Sequence, residues 1–520
     1  MADQHPRGLY VCFATELWER FSYYGMRALL IFYLMQHFLF SEQESYLIYG
    51  AYTALVYMTP VLGGAIADRY LGARKAVTCG AILLVLGHLG IAIEGPPATQ
   101  QLIGEVATAS RNPLSLQIFY ASLALIIVGV GFLKTNASTL VGALYRPNDP
   151  RRDAGFTLFY MGINLGGAAA PLLCGWVGQT YGWRYGFGLA GIGMLAGLFT
   201  FLRGQHCLMG LADPPNPAWL RERVFAGCSR EFLLYSCTVA LVVVAWLVLN
   251  HRHVVGPMLT ASGLATGIIL LYYAFARCTP LERDRLLVCA TLIVFTIGFW
   301  ALYEQMGSSL NVFADRMVDR RLFGYDIPAA MLQSLPSIFI ILLAPAASGL
   351  WLHLGRRGRE PSTAVKFCLA LTLIGLAFLV LRLGLTLTEP DSKVALIWFV
   401  LNFFLFTCGE LCLAPVGMSM VTKLAPRRIV GVMMGAFFLA YSASSYIAGL
   451  IAQFTSPGPV ANSAAAMDTY ALIYTRLGMV ALGVALVLLL LAPLLTRRMH
   501  EAKPAGPLDN ERDEAVAVRR

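Results

Sequence analysis

Charge is what this chain has least of. Asp, Glu, Lys and Arg make up 13% of its 520 residues, against about 25% in soluble domains, which excludes an ordinary water-soluble globule. Cysteine pairing signals are missing too: the eleven Cys are an odd number and show no C-x-x-C spacing, so neither a disulfide framework nor a metal site is expected. Most of them, such as Cys79, Cys174, Cys237, Cys289, Cys368 and Cys408, sit in apolar stretches and read as reduced, packed thiols. Cys408 and Cys412 stand at i, i+4, which packing explains better than a soft metal does. There is no G-x-S-x-G and no H-E-x-x-H, and the embedded carboxylates are balanced by embedded cations, which argues against an intramembrane enzyme. The first apolar stretch is too long for a signal peptide and has no small-residue cleavage site, so it is expected to stay in the protein. The net charge of +10 is dispersed through short loops without interleaved aromatics, and no nucleic-acid partner is expected.

What is there instead is apolar length. With 58% hydrophobic residues and about 20 needed per span, fourteen transmembrane helices are expected, at 11–38, 47–67, 74–93, 116–140, 154–180, 186–203, 232–250, 257–276, 286–310, 328–354, 365–384, 394–421, 430–454 and 470–495. The fold class is an all-α membrane protein whose partner is the lipid bilayer. An even number of spans puts both termini on one side. Roughly 27 of the 39 Lys and Arg fall in that side's loops and about nine in the others, which makes both termini cytoplasmic.

One span breaks the apolar rule. Glu16-Leu17-Trp18-Glu19-Arg20-Phe21-Ser22-Tyr23-Tyr24-Gly25, with Arg27 beyond, places four ionised groups inside the first span. Glu16, Glu19, Arg20, Tyr23, Tyr24 and Arg27 fall on one helical face. A charge facing lipid costs at least ~2.5 to 3.5 kcal/mol, so this face must look onto a water-filled path or onto partner charges. A purely structural Glu16–Arg20 pair is the alternative, but it leaves Glu19 and Arg27 without partners. The other embedded charges are few: Lys134, Glu304 and Glu410. Glu16 or Glu19 is the natural partner of Lys134, and Arg27 can meet Glu304. His88 stands alone in the third span and reads as a satisfied structural histidine.

The positive charges Arg20, Arg27 and Lys134 lie in the first half and Glu304 and Glu410 in the second. A small zwitterion with separated ends would bridge the halves, with Tyr23, Tyr24, Tyr57, Asn164 and Trp300 lining the space. A carboxylate that alternates between paired and protonated forms makes proton symport the expected mechanism. No cofactor is then expected, only a co-transported proton.

Two resemblances follow from these residues. Gly63-Gly64-Ala65-Ile66-Ala67-Asp68-Arg69-Tyr70-Leu71-Gly72-Ala73-Arg74-Lys75 resembles the loop signature of the major facilitator superfamily, in which the glycines permit close helix approach and Asp68 can bond a neighbouring helix end. It implies two six-helix bundles with the site between them: an N-terminal bundle at 1–203, a linker with two inserted spans at 204–285, a C-terminal bundle at 286–495 and a disordered cytoplasmic tail at 496–520. The inserted pair, free of internal charge, reads as a lipid-facing appendage.

The first-helix motif, Lys134 with Asn136, Phe159-Tyr160-Met161-Gly162-Ile163-Asn164-Leu165-Gly166, Glu304-Gln305-Met306-Gly307-Ser308-Ser309 and Gly409-Glu410 together resemble the proton-dependent oligopeptide transporter family, prokaryotic type. That resemblance implies proton coupling by Glu16, Glu19 and Arg20 with Lys134 as their ionic partner. It also implies that Arg27 and Lys134 take the peptide carboxylate, that Glu410 takes its amino terminus, and that Glu304 carries a proton and closes the outer gate. Three positions depart from the family pattern: Thr135 for a proline, Pro336 for an asparagine and Phe437 for a tryptophan. Import of di- and tripeptides across the cytoplasmic (inner) membrane by a monomer is therefore expected. The altered pocket at Pro336 and Phe437 leaves an amino acid, a modified peptide or a peptide-like drug as the alternative cargo. A substrate sensor on the same scaffold would need a signalling segment, and the charged tail is too short for one.

Overall fold

The computed structural model describes residues 4–103, 106–146, 149–225, 227–389, 392–456 and 463–500. The first half is built from α1 (Arg7–Gln36), α2 (Glu42–Ile66), α3 (Gly72–Ala92), α4 (Pro113–Ala143), α5 (Arg152–Ala170), the short α6 (Trp176–Tyr181) and α7 (Trp183–Gly204). A connecting segment carries α8 (Pro217–Arg221), α9 (Arg230–Asn250) and α10 (Val255–Ala276). The second half holds α11 (Pro280–Tyr303), the short α12 (Ser309–Met317), α13 (Leu335–Arg356), α14 (Thr363–Thr386), α15 (Leu396–Leu424), α16 (Val430–Gln453) and α17 (Ser463–Met499).

Twelve stretches of the described residues are long and apolar enough to cross a membrane. One of them, Glu42–Ala92, is two helices, α2 and α3, run together through a π turn at Ala67–Leu71. The set omits α1, which carries Glu16, Glu19, Arg20 and Arg27. Separating the first pair and adding α1 gives the fourteen spans expected.

Helix starts follow local chemistry. Ser41 with Glu44 forms a capping box on α2, and Thr279 with Glu282 forms another on α11 ahead of Pro280, each cap contributing about 1 kcal/mol. The second cap sets the start of α11, so a boundary at 286 would cut into that helix. At the other end α17 runs to Met499, where the Arg285 guanidinium donates to the Met499 carbonyl at 3.0 Å. The disordered tail expected from 496 therefore does not begin there, and its remainder from 501 lies outside the described residues.

In the first half α1 packs on α5 and α7, α2 on α4, and α3 on α4 and α7; in the second, α14 packs on α15 and α17. The halves meet mainly through α2 on α16 and α5 on α13. The inserted hairpin is more than a lipid-facing appendage. Its outward side chains such as Val239, Leu264 and Ile268 are exposed, but α9 rests on α4 and α2, and α10 on α16 and α11. Polar groups at its tip fix the seat: Trp246 Nε1 donates to Gln117 Oε1 at 2.9 Å, and Gln117 Nε2 donates to Asn250 Oδ1 at 3.0 Å.

In the loop after α2, Gly63 lies so close to the Gly131 carbonyl that a Cβ has no room, and Gly72 turns the chain at φ 71°. Among the described residues Asp68 bonds no neighbouring helix. The π turn carries it outward into an exposed position, and the Asp213 loop takes its place, pairing with Arg74 at 2.8 Å.

Candidate functional site

Arg20 organises the buried charges of α1. Its Nε lies 2.9 Å from Glu16 Oε1 and 2.6 Å from Glu19 Oε2, and all three side chains are almost wholly buried. Helical spacing puts the three groups on one face, and one guanidinium serves both carboxylates. Neither Glu19 oxygen accepts a hydrogen bond from the protein, nor does Glu16 Oε2, and Arg20 Nη2 donates none. The cluster thus keeps acceptor positions that a proton or a water molecule would fill.

Lys134 is not the ionic partner that was expected: among the described residues it forms no ion pair within 4.0 Å. Its Nζ sits instead over the Tyr57 ring, 4.2 Å from the centroid. The reason is that Arg20 already holds both carboxylates, leaving the ammonium to the aromatic face. Thr135, next along, leaves α4 unbroken from Pro113 to Ala143.

The second group joins the halves. Arg27 Nη2 meets Glu304 Oε2 at 2.6 Å, and Arg27 Nε donates to the Tyr49 hydroxyl at 2.7 Å. Glu304 opens the single 3-10 turn that links α11 to α12. Nearby contacts close the same face, the one opposite the chain termini. Asn311 Nδ2 donates to the Ala28 carbonyl at 3.1 Å, Arg316 pairs with Glu42, and Gly50 touches Gly449, where a Cβ would come within 3.0 Å of backbone.

Glu410 accepts a hydrogen bond from the Tyr303 hydroxyl. The helix α15 continues through Pro415 to Leu424. Between the charged groups runs an aromatic wall. The Tyr57 ring lies 4.3 Å from Tyr441, and Tyr441 lies 4.5 Å from Trp300, which also packs edge-on against Tyr303. Tyr23 stacks edge-on against Tyr24 beside Arg20. Asn164 is buried in α5 and donates back to the Tyr160 carbonyl at 3.0 Å.

Pro336 is buried in the first turn of α13, and Phe437 packs over Gly417 of α15 and against Phe438. His88 is fully buried with neither ring nitrogen bonded, so it is not the satisfied histidine that was expected; α3 approaches α7 closely there, at Gly191.

The POT family profile matches residues 74–472, most of the chain, with Lys134, Asn164, Glu304 and Glu410 inside the match and the charged α1 before it. The chain belongs to the POT family. It is 34% identical over 515 residues to the peptide transporter YePEPT of Yersinia enterocolitica subsp. palearctica serotype O:3 (strain YE-P4), covering 96% of each chain. It is 32% identical over 512 residues to dipeptide and tripeptide permease A of Chromobacterium violaceum, covering 97% of this chain and 96% of that one. Its structure is similar to the crystal structure of a POT peptide transporter variant in complex with alafosfalin, at TM-score 0.80 and 34% identity over 96% of this chain and 97% of that one. This POT-family chain is accordingly a multi-pass membrane transporter of the major facilitator fold and not an enzyme.

Three residues of its site were missed in the sequence: Tyr49, Tyr303 and Tyr441. Signals for two of them exist. Tyr303 immediately precedes Glu304, and Tyr441 follows Phe437 by one helical turn. Nothing local marks Tyr49, whose role depends on where α2 meets Arg27.

Proposed function

We infer that the protein is a proton-coupled symporter that imports di- and tripeptides across the cytoplasmic membrane by alternating access, with both chain ends in the cytoplasm. The observation that carries this reading is the buried Arg27–Glu304 pair, one partner from each half. Protonation of Glu304 removes the negative partner and frees the halves to part; loss of that proton re-forms the pair and closes them.

The Glu16, Glu19 and Arg20 cluster supplies a second place for a proton. Its unbonded acceptor oxygens lie in the half that also holds Lys134. For the cargo, Arg27 and Lys134 offer positive charge to a peptide carboxylate, and Glu410 offers negative charge to an ammonium group. Tyr57 and Trp300, both buried, supply the apolar body of the pocket. The names of the similar transporters agree with a peptide cargo.

The position of Pro336 and Phe437 favours a second reading in cargo alone. A proline offers no side-chain donor or acceptor where an asparagine would bind the peptide. On that reading the same proton machinery carries an amino acid or a modified peptide.

The deciding experiment is uptake of labelled dialanine into liposomes by wild type and Glu16→Gln. Uptake that needs an inward proton gradient and is lost in the variant supports peptide symport. Uptake indifferent to the gradient overturns the proton coupling. No dialanine uptake, in protein that takes up another zwitterion under the gradient, assigns the second cargo.

A further inference from the structure

The geometry points to Tyr441 as a positioning residue that ties contact between the two halves to the place of the Lys134 ammonium. This role rests on the symport reading above and adds a part to it.

Three contacts form a relay. The Lys134 ammonium lies over the Tyr57 ring at 4.2 Å, the Tyr57 ring lies 4.3 Å from that of Tyr441, and Tyr441 lies 4.5 Å from Trp300. The first two residues belong to α4 and α2 of the first half, and the last two to α16 and α11 of the second. The ammonium is therefore held by a ring that is itself in contact with the other half of the protein. Tyr57 and Trp300 are almost fully buried, so neither ring can turn away while the halves are in contact.

The groups facing Lys134 make its position consequential. Glu16, Glu19 and Arg20 act on it from α1, Tyr57 from α2 and Glu304 from the turn after α11. In the closed arrangement Arg20 serves both α1 carboxylates and the lysine stands off on the ring. A ring holds an ammonium less firmly than a buried carboxylate does, so the balance turns on whether the ring is kept in place. When α16 parts from α2, Tyr57 loses its backing. The ammonium is then free to move to Glu16 or Glu19 and compete there with a proton. Tyr441 thus links contact between the halves to the charge that stands beside Glu16 and Glu19, without itself touching a proton.

The test uses the full-length protein in liposomes with labelled dialanine, or with the zwitterion it carries best if dialanine is not taken up. Tyr441→Leu removes the ring and Tyr441→Phe keeps it. Two rates are read for each: gradient-driven uptake, and counterflow exchange with no gradient. Tyr441→Phe is expected to match wild type in both. Tyr441→Leu is expected to lose roughly tenfold in driven uptake while counterflow and the half-saturating concentration stay within about threefold. Equal loss of both rates, or no loss of either, overturns the role.

Wild-type uptake that ignores the gradient would be a failure of the symport reading and not of the relay. The relay is then tested by net uptake in a double variant: Tyr441→Leu alone slows it, and if Tyr441 acts through Tyr57, Tyr57→Leu with Tyr441→Leu is no slower than Tyr57→Leu alone. Additive losses overturn it.

Discussion

Arg27 and Glu304 stand 2.6 Å apart, both buried, in an ion pair that joins the two halves. Removing one member of such a pair strands a charge and costs roughly 3 to 5 kcal/mol. Glu304→Ala is therefore expected to open the face away from the termini. Spin labels at the exposed positions Gln43 and Phe454, in a cysteine-depleted background, should move apart; an unchanged distance would mean that other contacts hold that face.

The same opening is expected without any change of charge. Gly50 and Gly449 touch backbone to backbone, and a Cβ on Gly50 would stand 3.0 Å from the Gly449 Cα. Backbone cannot yield as a flexible side chain does, so Gly50→Val should separate α2 from α16 and lengthen the same label distance. Normal distance with normal melting would show that the helices can slide to accommodate the side chain.

His88 offers a stability prediction of the opposite sign. A buried polar group without partners costs about 1 to 3 kcal/mol, and both His88 ring nitrogens are in that state. His88→Phe is expected to leave uptake unchanged and to hold or raise the melting temperature. Loss of proton-driven uptake in a variant that melts normally would instead make His88 a proton carrier.

Pro336 sits at the start of α13, where its missing N–H costs the helix nothing. Pro336→Asn should fold normally and supply one further side-chain donor and acceptor. One hydrogen bond contributes about 1 kcal/mol, so dialanine should compete roughly five times better in the variant. Competition unchanged across a panel of dipeptides would place residue 336 outside the pocket.

Most of the fold was legible because fourteen apolar runs leave few other ways to bury backbone in lipid. The charged face of α1 was legible for the same reason: four charges in a span demand partners, and Arg27 with Glu304 proved to be one such pair. The place of Lys134 was not. Sequence shows that an ammonium needs compensation, but not that Arg20 would reach both carboxylates first and leave the lysine to a tyrosine ring. His88 misled in the same way, since a lone histidine carries no mark of whether its neighbours can bond it. Asp68 misled because a π turn shifts every following side chain by a fraction of a turn, which spacing alone does not reveal.

The hairpin of α9 and α10 leans on α4 and α2 with one arm and on α16 and α11 with the other. It is in effect a clothes-peg clipped across the seam from the lipid side. Each rocking stroke must shear one arm along the other or flex the turn between Asn250 and Val255, and the surrounding acyl chains must flow to let it happen. On the alternating-access reading proposed above, a stiffer bilayer is expected to slow the cycle from outside the pathway, through two helices that contribute no charge to it.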